Sequence, residues 1–214
     1  MIEAVIFDMD GVLFDTERLG LVFQTRACLE VGYPVTQSLL MKTLGVSMAA
    51  GREIMLEALG KDFPYEKMIG RWTEFMYEDM DANGIPEKPG TRELLDVLRA
   101  KGIKTAIATS NNRSIAENYM RLAGLENQFD AVVCGDTIKH SKPAPDIYLT
   151  AAQMLGVRPE NCMGVEDSPN GVKSIRAAGM ISVMVPDLIP FTKELGPYVD
   201  HCVPTLKEII PLLT

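Results

Sequence analysis

Five short apolar runs, separated by stretches of helical period, constrain this chain more than any other feature. They are Glu3–Asp8 (EAVIFD), Ile103–Thr109 (IKTAIAT), Ala131–Cys134 (AVVC), Cys162–Val165 (CMGV) and Ile181–Val185 (ISVMV). Most are bounded by Gly, Pro, Asp or Ser, and their continuous apolar character is what a strand covered on both faces requires. Between and after them, Thr91–Ala100, Asn112–Ala123, Pro145–Leu155, Ser168–Ala178 and Thr205–Leu213 carry helical spacing. Three of these helices end at a glycine, Gly124, Gly156 or Gly179, the residue that most readily caps a helix C-terminus. Strand alternating with helix predicts an α/β fold with a doubly wound parallel sheet, Rossmann-like in its core.

One stretch breaks the alternation. From Thr16 to Asn83 only helical patterns occur, over Glu17–Val31, Gln37–Leu44, Ala49–Leu59 and Tyr65–Met80. The spacing predicts an all-helical domain of residues 16–83 inserted after the first strand, with residues 1–15 and 84–214 forming the α/β core. The segment Ala82–Gly90 (ANGIPEKPG) has the Gly and Pro content of a return linker. At 214 residues, 47% of them apolar, the chain can bury a core of this size alongside the insert.

Charge and composition narrow the partners. The formal net charge is −8, a sign that repels nucleic acid and anionic membranes, so neither is expected as a partner. An anionic substrate then needs a local positive site. The apolar run Met180–Leu188 is interrupted by Ser182, Pro186 and Asp187, far short of the ~20 apolar residues of a membrane span. Cys28, Cys134, Cys162 and Cys202 form no CxxC pair and read as reduced structural thiols. With two histidines, His140 and His201, a His-rich zinc site is not expected. The N-terminus carries acids and no basic region, so no targeting segment is expected, and the reduced thiols fit a cytoplasmic protein. A monomer is expected.

Four polar clusters fall at or just after the C-terminal ends of expected strands, the edge where open α/β sheets bind ligands. In Asp8-Met9-Asp10-Gly11-Val12 a carboxylate can attack phosphorus, and a second one two residues on can protonate the leaving oxygen and later activate water. The same residues also suit a solvated turn. Thr109-Ser110-Asn111, before a helix, offers hydroxyls and N–H groups to an anion, or is simply an N-cap. Lys142, in HSKPAPD, can neutralise a phosphate and keep Asp8 ionised, or can be a solvated loop lysine. Gly164-Val165-Glu166-Asp167-Ser168 offers paired acids to Mg²⁺, or an acid-rich helix start. Asp8, the Asp10 carbonyl and Asp167 are the candidate direct ligands, with Glu166 binding through water or orienting the site. Together the clusters supply a nucleophile, an acid/base, a hydroxyl, a cation and a metal site for a small phosphorylated metabolite.

At these residues the chain resembles the haloacid dehalogenase-like phosphatases. The carriers are DMDGVLFDTE (Asp8–Glu17), Ala108-Thr109-Ser110-Asn111, Lys142-Pro143-Ala144-Pro145-Asp146 and Val165-Glu166-Asp167-Ser168. The position of the insert matches that family's cap, and the branch it looks like holds β-phosphoglucomutase and small sugar-phosphate phosphatases. The resemblance implies Asp8 as nucleophile, Asp10 as acid/base, Thr109 and Lys142 holding the phosphoryl group, and Asp167 binding Mg²⁺ with Glu166 in support. Thr16, at the cap hinge, would touch Asp10 or report closure. Specificity would reside in the cap residues Leu44, Val46, Ser47, Met48 and Arg52, with Gly20 and Gln24.

The chain departs from the mutases of that branch, which carry a His where this sequence has Gly20 and basic residues where it has Leu44 and Met48. A mutase needs a second phosphate clamp, and these changes remove most of its charge. Lys42 and Arg52 lie nearby and could substitute. The expectation is a phosphatase, with a phosphohexose mutase as the alternative. A phospho-acceptor signalling domain, which also groups acids, a hydroxyl and a lysine, fits less well because it lacks a large helical insert.

Overall fold

The computed structural model describes residues 1–46 and 48–213. It contains a parallel six-stranded sheet of β1 (Ala4–Phe7), β2 (Lys104–Thr109), β3 (Ala131–Cys134), β4 (Cys162–Glu166), β5 (Ile181–Met184) and β6 (His201–Cys202), in the order β3-β2-β1-β4-β5-β6. The chain lays β2 and β3 on one side of β1, then crosses to lay β4, β5 and β6 on the other. β1 pairs with both β2 and β4, Phe7 lying opposite Ile107 and Val165. The crevice beyond the C-terminal ends of β1 and β4 is therefore the topological switch point, where helices no longer cover the same side.

The expected strands are all present, each within a residue or two of its anticipated ends. β6 is additional: two exposed residues, His201 and Cys202, paired with Val183 and Met184, carry no apolar run to betray them. All four residues of β1 are buried, as a central strand with helices on both faces demands. On one face, Ala4, Ile6, Ala106 and Ala108 pack against Ile147, Tyr148 and Ala151 of the helix Asp146–Leu155 and Ile175 of the helix Pro169–Ala177. Gly164 of β4 lets that second helix approach: a Cβ there would stand 2.6 Å from Ile175 Cγ1.

The chain forms two compact units, residues 1–15 with 86–214, and 16–85. The second unit is all-helical: α1 (Thr16–Glu30), α2 (Gln37–Leu40), α3 (Met48–Leu59) and α4 (Tyr65–Asn83). α1 lies against α4, where Arg26 sits 3.7 Å above the Phe75 ring and Arg71 Nε donates to Glu30 at 2.6 Å. The sheet unit carries α5 (Thr91–Lys101), α6 (Arg113–Ala123), α7 (Asp146–Leu155) and α8 (Pro169–Ala177).

Three expectations need correction. The helix anticipated over Gln37–Leu44 is one α turn followed by a 3₁₀ turn, Met41–Thr43. The anticipated linker starts later, because α4 continues to Asn83 and stops at Gly84, whose φ of 77° only glycine adopts without strain. The C-terminal helix expected over Thr205–Leu213 is a 3₁₀ segment, Leu206–Leu212. Pro211 inside it lacks the N–H an α-helix requires and crowds the carbonyl four residues back.

Among the described residues no helix is long and apolar enough to cross a membrane. Cys28, Cys134, Cys162 and Cys202 are free thiols, and burial pushes the Cys28 and Cys162 thiols up to about 11.

Candidate active site

Asp8 follows β1 directly, its N–H still donating to Val165 O at 2.9 Å in the manner of a strand. The chain then folds back: Leu13 N and Phe14 N donate to Met9 O, and Gly11 N donates to Phe14 O at 2.8 Å. Gly11 makes this turn possible in two ways. Its φ is 75°, and a Cβ there would lie 2.4 Å from Asp167 Oδ2. The turn presents Asp10, whose Oδ2 accepts from Asn111 Nδ2 at 2.7 Å. Asn111 in turn donates its backbone N–H to Thr109 Oγ1 at 3.1 Å. The loop after β2 is thus coupled to the loop after β1 through one amide side chain.

Lys142 reaches the same crevice from the loop after β3. Its ammonium donates to Asp8 Oδ1 at 2.5 Å, Glu166 Oε1 at 2.6 Å and Ala108 O at 3.0 Å. Three N–H donors meet three acceptors, which is the full capacity of an ammonium. Burial favours the neutral amine, but the Asp8 and Glu166 carboxylates overcome it and hold Lys142 above the ordinary lysine range. Asp8 is pushed well above the usual carboxylate range, by burial first. Lys142 opposes that rise, and the Glu166 and Asp10 charges add to it.

Glu166, at the end of β4, is 1% exposed and accepts from five protein donors. Lys142 Nζ and Tyr148 Oη donate to its Oε1, the latter at 3.1 Å. Asp167 N, Ser168 N and Ser168 Oγ donate to its Oε2 at 3.1, 3.2 and 3.0 Å. With its oxygens so engaged, Glu166 is suited to orienting the site. Ser168 also caps α8, accepting from Gly171 N.

A hard divalent cation fits this donor set. Asp8, Glu166 and Asp167 each offer a carboxylate oxygen within 4.8 Å of the others, and the Asp167 carboxylate lies against Gly11, where any side chain would displace it. Oxygen-only ligands of this charge suit Mg²⁺.

Asp8, Asp10, Thr109, Asn111, Lys142, Glu166 and Asp167 thus share one rim of the sheet unit. Ser110 is exposed on the same loop, and its carbonyl lies where a Cβ on Gly135 would approach to 2.3 Å. The remaining candidates belong to the helical unit. Thr16 opens α1. Val46 and Met48 are exposed, Leu44 is partly buried, and Ser47 lies outside the described residues. Arg52 Nε is paired with Glu66 at 3.0 Å. Gln24 is buried in α1, and a Cβ on Gly20 would already touch the Trp72 ring at 3.4 Å.

Sequence reasoning missed Tyr148 and Gly135, and it noted Gly171 only as part of the family resemblance, without a role. For Tyr148 a signal existed: a phenol on the buried face of a helix otherwise built of Ala, Ile and Leu needs a polar partner. For Gly135 there was none, and for neither glycine could the sequence show what the absent side chain makes room for, which only the folded chain reveals.

A model of the haloacid dehalogenase-like hydrolases matches residues 5–185. A phosphorylated carbohydrates phosphatase of Thermotoga maritima is 39% identical over 181 residues, 83% of this chain and 82% of its own length. A β-phosphoglucomutase of Bacillus subtilis is 31% identical over 190 residues, 86% of this chain and 83% of its own. The crystal structure of a CbbY mutant from Rhodobacter sphaeroides in complex with xylulose-1,5-bisphosphate superposes with a TM-score of 0.81. It is 26% identical, covering 98% of this chain and 96% of that one.

Proposed function

The chain belongs to the haloacid dehalogenase-like hydrolases, and from that membership we propose a Mg²⁺-dependent phosphatase that hydrolyses a small phosphomonoester, a sugar phosphate or similar metabolite, through an aspartyl-phosphate on Asp8. The observation that carries the proposal is the Lys142 ammonium held between Asp8 and Glu166, 2.5 and 2.6 Å away, beside the carboxylate of Asp167. A carboxylate, a fixed cation and a metal-binding acid around one point are what phosphoryl transfer to a side chain requires.

Bound Mg²⁺, held by Asp8, Asp167 and the Asp10 carbonyl, would supply charge neutralisation for the transferring group. The remaining work falls to side chains. A carboxylate oxygen of Asp8 attacks phosphorus as the bond to the leaving oxygen breaks. Asp10, oriented by Asn111, protonates the departing alkoxide and then, as a carboxylate, takes a proton from water. That water attacks phosphorus and releases Asp8 and inorganic phosphate. Lys142 and Thr109 hold the phosphoryl oxygens, Lys142 stabilising the charge that grows on them. Specificity is assigned to the helical unit, residues 16–83 in the sequence reading, through Thr16, Leu44, Val46, Ser47, Met48 and Arg52.

Hydrolysis is favoured over mutase chemistry by the uncharged Leu44 and Met48, by the engagement of Arg52 with Glu66, and by Trp72 beside Gly20. The test is a phosphate-release screen across sugar phosphates, nucleotides and short phospho-acids. It is run beside an assay of glucose 1-phosphate with a bisphosphate primer. Inorganic phosphate released from a sugar phosphate is the expected result. Conversion of glucose 1-phosphate to glucose 6-phosphate without phosphate release would transfer the chain to the mutases.

A further inference from the structure

Tyr148 is the largest fully buried side chain among the described residues. It lies on α7, whose other buried residues are Ile147, Ala151, Ala152 and Leu155. A phenol in such surroundings is costly unless its hydroxyl is bonded, and here it donates to Glu166 Oε1 at 3.1 Å. That oxygen is already the acceptor for Lys142 Nζ at 2.6 Å, and the same ammonium sits 5.3 Å from the centre of the Tyr148 ring. Glu166 Oε2, by contrast, is occupied by backbone and serine donors of the β4–α8 turn and is not free to adjust.

We propose that Tyr148 is a positioning residue: by sharing Glu166 Oε1 with Lys142, it sets how far the ammonium leans toward Glu166 and how far toward Asp8. Oε1 divides its acceptor capacity between two donors. Removing the phenolic O–H leaves the whole of that capacity to Lys142. The ammonium is then drawn to Glu166 and withdraws from Asp8, where the phosphoryl group is to be held. The ring beneath the ammonium restricts the remaining directions of movement. The kinetic consequence rests on the hydrolysis proposed at Asp8; the displacement of Lys142 does not.

The test is Tyr148→Phe, which keeps the ring and its volume and removes one oxygen. Three measurements are made on the full chain with Mg²⁺: a crystal structure, the melting temperature, and steady-state hydrolysis of p-nitrophenyl phosphate with inorganic phosphate as inhibitor. In the variant, the Lys142 Nζ to Asp8 distance is expected to open beyond hydrogen-bond range, roughly 3.2 Å. The inhibition constant for phosphate is expected to rise about tenfold, near the low end of what one hydrogen bond to a charged group is worth, with kcat/KM falling to match and melting little changed. A Lys142 that keeps its contacts to Asp8 and Glu166 overturns the proposal. So does an unchanged phosphate inhibition constant accompanied by a drop in melting temperature, the signature of a purely structural tyrosine. A wild-type protein that hydrolyses neither this probe nor any other phosphomonoester sinks the proposed activity instead, and the crystal structure of the variant still decides the positioning.

Discussion

Gly171 and Glu166 occupy space that only one side chain can fill: a Cβ on Gly171 would fall 1.8 Å from Glu166 Cδ. The first turn of α8 therefore passes over the carboxylate with its backbone alone. That close passage puts Gly171 N on Ser168 Oγ, and Ser168 in turn on Glu166. Gly171→Ala must push the carboxylate aside or shift α8, at a cost of roughly 1–3 kcal/mol for an overpacked core. Urea denaturation measures the loss of stability. Phosphate release is expected to fall further than stability does, since Lys142 loses one of its three acceptors.

Asp8→Asn separates chemistry from stability. With Asp8 as the proposed nucleophile, turnover of the best phosphomonoester found is expected to drop by about three orders of magnitude or more. In metal-free buffer at pH 7 the variant should melt higher than the wild type. The sign follows from the direction of the Asp8 shift. Burial raises its folded-state pKa, so in the metal-free protein the native state binds a proton at Asp8 more tightly than the unfolded chain does, and wild-type stability falls as pH rises from the ordinary carboxylate range toward the raised value. Asparagine has no such dependence. The gap in melting temperature should therefore narrow as pH is lowered through about 4; a gap that widens on acidification contradicts the burial argument.

Chelation tests the metal site. EDTA is expected to abolish phosphate release reversibly, with Mg²⁺ restoring it. Added Mg²⁺ should raise the melting temperature of the wild type, by about 2.7 kcal/mol of stabilisation at a hundred times its dissociation constant. It should raise that of Asp167→Asn much less. Equal stabilisation of both proteins would remove Asp167 from the ligand set.

Asn111→Ala removes the donor that holds Asp10 at 2.7 Å and leaves the α6 cap, built on Asn112, intact. The loss of one hydrogen bond to a charged group predicts a decrease in kcat of about tenfold. Asn111→Asp sets a second carboxylate against Asp10 and should cost more. Steady-state kinetics of the two variants rank them, and equal rates would mean that the amide does not position Asp10.

The strands were legible because buried parallel strands leave the same mark wherever they occur, a short continuous apolar run; β6, exposed and two residues long, left none. The helical insert was legible as an interruption of that rhythm. The four polar clusters could be placed on the site because each lies at the end of such a run or in the loop that follows one, and parallel strands in one sheet present their C-terminal ends along one edge. Side-chain periodicity misleads wherever local backbone chemistry outweighs it, as at Pro211 and at Met41–Thr43.

Local order along the chain thus carried the identity of Asp8, Asp10, Lys142 and Asp167 and the kind of fold that brings them together. It could not carry how their charges are arranged. That Lys142 spends its three protons on Asp8, Glu166 and Ala108, that Tyr148 competes for one of those oxygens, and that Gly11 and Gly171 are empty so that Asp167 and Glu166 can lie against them are facts about distances between segments remote in the chain. Hydrogen bonds and close packing act over a few ångströms in space, whatever the separation in sequence. Such pairings exist only once the sheet has assembled.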